Sequence, residues 1–104
     1  QLISLDVSNN IAITELYCNN NQLMNLNLNG LISLTLLDCH SNLLTTLNLS
    51  TNIALFSLYC YTNQLTSLNV NSNIELMALR CYGNQLTSLY IKNGRLGTPN
   101  FFYF

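Results

Sequence analysis

The stretch Leu55-Phe56-Ser57-Leu58-Tyr59-Cys60-Tyr61-Thr62-Asn63-Gln64-Leu65 decides the fold, because its spacing recurs along the whole chain. Leucine returns at Leu16, Leu37, Leu58 and Leu79. Cysteine returns at Cys18, Cys39, Cys60 and Cys81, and asparagine at Asn21, Asn42, Asn63 and Asn84. Leucine returns once more at Leu23, Leu44, Leu65 and Leu86, so all four series keep one common 21-residue step. A fixed period of this size marks stacked supersecondary units, each covering the apolar face of the next. The units open at Gln1, Gln22, Leu43, Gln64 and Gln85, four complete and most of a fifth.

The pattern restarts inside each unit, as in Leu65-x-x-Leu68-x-Val70-x-x-Asn73, before the next unit opens at Leu76. Each unit therefore divides into two near-equal halves, as at 55–65 and 65–76. Within each half the L-x-L core alternates in and out, as a short half-buried strand does. Neither half has room for a helix as well as a corner. The expected fold is an all-β-rich solenoid with two narrow parallel sheets, one 21-residue period per coil and essentially no helix. Asn, Ser and Thr supply the corners, where their side chains bond nearby backbone.

At these residues the chain resembles bacterial short leucine-rich repeat proteins of the nested 21-residue class, with the signature L-x-x-L-x-C-x-x-N-x-L followed by L-x-x-L-x-L-x-x-N. The resemblance covers residues 1–94, about 4.5 coils. It implies a secreted or cell-surface protein that binds other molecules through a repeat face, and it carries over no catalytic residues. Leu31 and Gly94 depart from the second-half asparagines Asn10, Asn52 and Asn73. After Gly94 the period fails, so 95–104 reads as an irregular tail or as the start of a cap.

At 104 residues a single domain is expected. Apolar residues make up 49% of the chain and charged residues only 7%, with net charge −1. Three basic residues (Arg80, Lys92 and Arg95) argue against nucleic acid, whose binding is dominated by cationic contacts to phosphate. No apolar run reaches the roughly 18 residues of a membrane-spanning helix, so no transmembrane segment is expected. The chain begins in mid-pattern without a polar cap, which reads as a piece of a larger protein or as an end that packs on another molecule.

The cysteine and asparagine columns read as structural. Adjacent coils stand roughly 4.8 Å apart, a distance that disulfides tolerate, but stacked side chains project in parallel and keep their Cβ atoms too far apart. Reduced, buried thiols are expected, and buried thiols survive an oxidising exterior. Asn21, Asn42, Asn63 and Asn84 can bond corner backbone and the amide of the next coil. No cofactor, metal site or catalytic constellation emerges, and the chain does not read as an enzyme. His40 should face solvent, with Asp38 two residues away. Asn48-Leu49-Ser50 matches a glycosylation sequon by pattern.

The two strand faces differ in what they present. The second-half strand offers Asp6, Asn27, Asn48, Asn69 and Tyr90, a mild hydrophilic surface. The first-half strand offers Tyr17, Asp38, Tyr59 and Arg80, with Asn19, His40, Tyr61 and Tyr82 beside it. Tyrosine and arginine are enriched at interfaces and hot spots. The candidate ligand-binding residues are therefore Tyr17, Asp38, His40, Tyr59, Tyr61, Arg80 and Tyr82, and the candidate partner is a protein or a glycan. The competing reading is a structural element that self-associates end to end through heterologous contacts. Leu31, Leu36 and Leu43 are apolar where sibling units are mostly polar. They make a sticky patch if exposed together, or a local variation of the core.

Overall fold

A computed structural model describes residues 1–91 and the backbone of Phe101–Tyr103. The described residues form nine three-residue strands and no helix. First-half strands β2 (Glu15–Tyr17), β4 (Leu36–Asp38), β5 (Ser57–Tyr59) and β7 (Ala78–Arg80) stack in parallel. Their register follows the sequence period, with Leu16 on Leu37, Leu37 on Leu58 and Leu58 on Leu79. The second-half strands are β1 (Ser4–Asp6), β3 (Asn25–Asn27), β6 (Ser67–Asn69) and β8 (Ser88–Tyr90). Each coil thus contributes to two walls of a parallel solenoid.

Between the walls lies one apolar core. Leu37, Leu58 and Leu79 are fully buried from the first wall, and Leu28, Leu49, Leu68 and Val70 are fully or almost fully buried from the second. Leu23, Leu44 and Leu65 fill one corner; Leu34, Leu55 and Leu76 fill the other. Each fully buried leucine contributes about 2 kcal/mol from apolar surface removed from water. The buried asparagine amides of the corners donate to main-chain carbonyls, while Asn52 Oδ1 and Asn73 Oδ1 accept nothing among the described residues.

The structure departs from the expected pair of unbroken sheets at one place. The first wall is continuous, but the second is divided into β1-β3 and β6-β8. The missing member is residues 46–48, which by period should stand between β3 and β6. No backbone hydrogen bond joins residues 46–48 to either neighbour among the described residues, whereas Val70 N–H donates to Tyr90 O at 2.9 Å in the intact part. The inward position of this column is Val7, Val70 and Ile91 in the other coils but Leu28 and Leu49 here. Leucine lacks the β-branching that suits a pleated wall.

The corner after the first wall needs a left-handed residue. Asn20, Ser41, Thr62 and Gly83 occupy it, with φ of 58°, 56°, 55° and 67°. Glycine and asparagine adopt this conformation readily, whereas β-branched Thr62 is out of character there. Leu31 is fully buried, Leu36 is part-buried and Leu43 is 40% exposed. The three leucines of repeat two therefore do not merge into one exposed patch.

The predicted tail boundary falls largely outside the described residues, as do Lys92, Gly94 and Arg95. Phe101–Tyr103, however, is a regular strand, β9, paired in parallel with β7. Its register sets Phe101 on Ala78 and Tyr103 on Arg80, so the last step is two positions longer than the sequence period. Aromatic residues are strong strand formers, and β7 presents an edge on which to pair.

Candidate functional site

The first wall brings the sequence-predicted residues together. Alternation along each strand turns Leu16, Leu37, Leu58 and Leu79 inward and Tyr17, Asp38, Tyr59 and Arg80 outward, in register across four coils. Two residues beyond each inward leucine, Cys18, Cys39, Cys60 and Cys81 turn inward and are buried, with their N–H groups on the wall ladder: Cys18, Cys39 and Cys60 donate to Asp38 O, Tyr59 O and Arg80 O at 2.9 Å. All four thiols are free. The column after them, Asn19, His40, Tyr61 and Tyr82, turns outward again.

This outer column is a stack of rings. His40 lies 4.4 Å from Tyr61 with 10° between planes, and Tyr61 lies 4.7 Å from Tyr82 with 14° between planes. Both faces of the Tyr61 ring are therefore covered by neighbours, and the stack presents ring edges outward. Beside it, the Arg80 guanidinium sits 5.2 Å over the Tyr59 ring, a cation–π contact. Tyr17 is 60% exposed and its hydroxyl donates to Glu15 at 3.0 Å. That bond holds the phenol proton and raises the Tyr17 pKa.

His40 stands on the outer face as expected, but most of its surface is covered. It is pinned between the Tyr61 ring and the Asp38 carboxylate, which bonds its Nδ1, and only 16% of its side chain is exposed. Stacking costs the imidazole its free surface, and the carboxylate fixes its tilt. Asp38 Oδ1 also accepts the His40 backbone N–H. Asp38 and His40 thus form one locally closed unit within the stripe.

The asparagine column behind the site sets its spacing. Asn63 Nδ2 donates to Cys39 O, Cys60 O and Tyr61 O, and its Oδ1 accepts Leu44 N–H. Asn42 repeats the arrangement with Cys18 O, Cys39 O, His40 O and Leu23 N–H. Asn84 follows with Cys60 O, Cys81 O, Tyr82 O and Leu65 N–H. The expected bond from amide to amide of the next coil is not made, because main-chain groups consume both ends of each amide. Each asparagine clamps its own ring-bearing turn to the preceding coil.

Burial sets the chemistry of the thiols. Desolvation pushes the Cys18 thiol up to about 11 and raises Cys39, Cys60 and Cys81 as well. A protonated, enclosed thiol is a poor nucleophile and a poor metal ligand. Among the described residues no group of three or more His, Cys, Asp or Glu side chains is placed to hold a metal ion. No helix among them is long and apolar enough to cross a membrane.

Sequence reasoning missed two contributors to this face and one added strand. Glu15 and Leu36 open β2 and β4 on the same side as the stripe. Backbone pairing sets residue 103 opposite Arg80, in a strand added beyond β7. Counting by 21 places it with Tyr82, and the two additional residues of the last step move it. The Phe101-Phe102-Tyr103 run was the signal that a further strand follows.

A parallel solenoid of 21-residue coils with leucines turned in, an asparagine clamp per turn and a column of buried thiols is a leucine-rich repeat of the cysteine-laddered kind, an architecture that presents surfaces for interaction. The chain is similar to a structure described as the functional domain of InlJ from Listeria monocytogenes, which includes a cysteine ladder: 37% identity and a TM-score of 0.76 over 84% of this chain. The match spans 22% of the length of that chain. No family model matches the sequence, and no curated protein is significantly similar to it.

Proposed function

We propose that this chain is a non-catalytic recognition module whose first wall binds a protein partner. The carrying observation is the row Tyr17, Asp38, Tyr59 and Arg80 with the ring stack His40, Tyr61 and Tyr82 alongside it. Stacked rings are preorganised, so little side-chain entropy is lost on contact. Their outward edges and hydroxyls suit polar and carbonyl groups of a protein, since ring edges carry the positive end of the quadrupole. A glycan needs an open ring face, and Tyr61 offers none. Buried, protonated thiols and the resemblance to cysteine-laddered repeats support a secreted or cell-surface setting as part of a larger bacterial protein. Residues 1–94 are the repeat solenoid in this reading, and β9 begins the segment that covers its edge.

Peptides selected by display against the wild-type chain provide the test. Substituting Tyr59, Arg80 and Tyr82 together by Ser is expected to weaken their binding at least about tenfold by calorimetry, in a chain that stays folded at a somewhat lower thermal midpoint because the cation–π and ring contacts are lost. Unaltered affinity removes this reading. End-to-end self-assembly is the second reading. It is favoured by the low charge of the chain, 7% of residues, which leaves little repulsion between copies. Light scattering separates the two, because a mass that does not rise with concentration argues against assembly.

A further inference from the structure

The second wall carries a feature that the first wall's role does not use. Where residues 46–48 fail to pair, a groove of about 310 Å³ opens between them and β6. Its lining includes Thr46, Asn48, Ser50, Ser67, Asn69 and Asn71, all uncharged amides and hydroxyls, over a floor of Leu47 and Leu49. A second opening of about 220 Å³ lies on the other side, against β3. The corners at both ends stay tied. Gln64 N–H donates to Leu44 O at 2.8 Å, and Asn73 Nδ2 donates to Leu49 O at 3.1 Å. The groove is therefore a bounded slot in a wall whose corners remain stitched.

Its polar groups are spoken for on one side only. Asn48 Oδ1 accepts Ser50 N–H at 3.0 Å and the Ser50 hydroxyl at 2.7 Å, which turns the Asn48 Nδ2 donor away with no partner among the described residues. Asn69 Oδ1 accepts Asn71 N–H at 2.9 Å, with the same consequence for its own Nδ2. Asn71 Oδ1 is buried and has no partner at all among the described residues. In register with Asn69 across the next coil stands Tyr90, 50% exposed.

From this arrangement we infer that the second wall binds a neutral oligosaccharide, with one sugar unit in the Asn48–Asn69 slot and its neighbour against Tyr90. Sugar hydroxyls accept from the free Asn48 and Asn69 amide donors and donate to the hydroxyl oxygens of Thr46, Ser50 and Ser67 that line the slot. The C–H face of a pyranose suits an exposed aromatic ring. A charged ligand finds no counter-charge in the slot, and a peptide finds no side pocket to select its side chains. This inference is independent of the first wall, which lies on the opposite side of the solenoid.

The test titrates the isotopically labelled chain with maltotriose, cellotriose and mannotriose and follows side-chain amide resonances. Binding shifts the Asn48 and Asn69 amides together with the Tyr90 ring. Asn69→Ala and Tyr90→Ser each weaken that binding about tenfold, while Tyr59→Ser, on the opposite wall, leaves it unchanged. Both altered residues are exposed strand positions, and an unchanged thermal midpoint confirms their folding. The inference is overturned if none of the three sugars shifts these resonances, or if the shifts persist in both variants. It is overturned equally if a neutral Ser/Asn tetrapeptide shifts them and the sugars do not. Because first-wall binding is read with selected peptides, failure here leaves that reading standing, and the reverse holds too.

Discussion

Asn63 and Asn73 sit at corresponding corners of the two halves of one coil, yet their amides are used differently. Asn63 satisfies three carbonyls and one N–H, so both ends of its side chain are engaged. Asn73 donates to Leu49 O and Asn52 O, but its Oδ1 is buried without a partner among the described residues, as is that of Asn52. The chain itself carries Leu31 at this second corner, fully buried. Replacing Asn63 by Leu strands the Leu44 N–H, while Cys39 O, Cys60 O and Tyr61 O keep donors in Asn42, Asn84 and the Ser41 N–H, and a stranded buried group costs about 1–3 kcal/mol. Replacing Asn73 by Leu strands no main-chain group, because Leu49 O and Asn52 O keep the Asn52 and Leu55 N–H donors, and it removes an unmatched acceptor. Urea denaturation is therefore expected to find Asn63→Leu less stable than Asn73→Leu by about 1–3 kcal/mol, the cost of one stranded group. Equal losses would mean that the two corners hold the stack alike.

At the scale of strands, the two walls differ in how much of them could be read in advance. L-x-L at a 21-residue step specifies both walls, and among β1 to β8 the register follows it wherever strands pair. The break at residues 46–48 was not legible, because Thr46-Leu47-Asn48 repeats the same in-out pattern as Ser67-Leu68-Asn69. What differs is cumulative: leucine in place of valine at two successive inward positions, Leu28 and Leu49, loosens a stack rather than a strand. A pattern read one strand at a time does not register that. The open wall leaves the N–H groups of Leu28 and Leu49 without main-chain acceptors among the described residues, while those of Cys39, Cys60 and Val70 have them. Amide protection follows such ladder bonds. Hydrogen exchange should therefore be about a hundredfold faster at Leu28 and Leu49 than at Cys39, Cys60 and Val70. Uniform protection along both walls would show the second wall to be closed in solution.

Taken as one body, the molecule was most legible where like residues pile up, and least where unlike residues meet. Period alone put Tyr17, Asp38, Tyr59 and Arg80 in one row. The capture of His40 between the Asp38 carboxylate and the Tyr61 ring depends on side-chain direction, which period does not fix. The thiol column shows what stacking adds to single residues. Cys39 lies inside the core between Cys18 and Cys60, so burial and then neighbouring sulfurs raise its pKa well above the ordinary 9.0. Well below pH 9.0 the thiols are protonated whether the chain is folded or unfolded, and their contribution to stability is constant. As pH rises past that value the unfolded chain releases thiol protons that the folded chain retains, so the folded state loses ground. The loss continues through about 11 for Cys18 and beyond that for Cys60, and Cys39 acts in the same direction. Tyr17 and Tyr61, also raised, act in the same direction but are unaltered by substitution at the cysteines. Unfolding free energies taken from about pH 8 to about pH 10.5 should fall for the wild-type chain, by about 2 kcal/mol for each deeply buried thiol at the upper end. A Cys39→Ala/Cys60→Ala variant starts lower, because two small cavities are opened, yet declines less steeply. Parallel pH profiles for the two proteins would mean that the thiols ionise as easily inside the stack as outside it, and that the column is open to water.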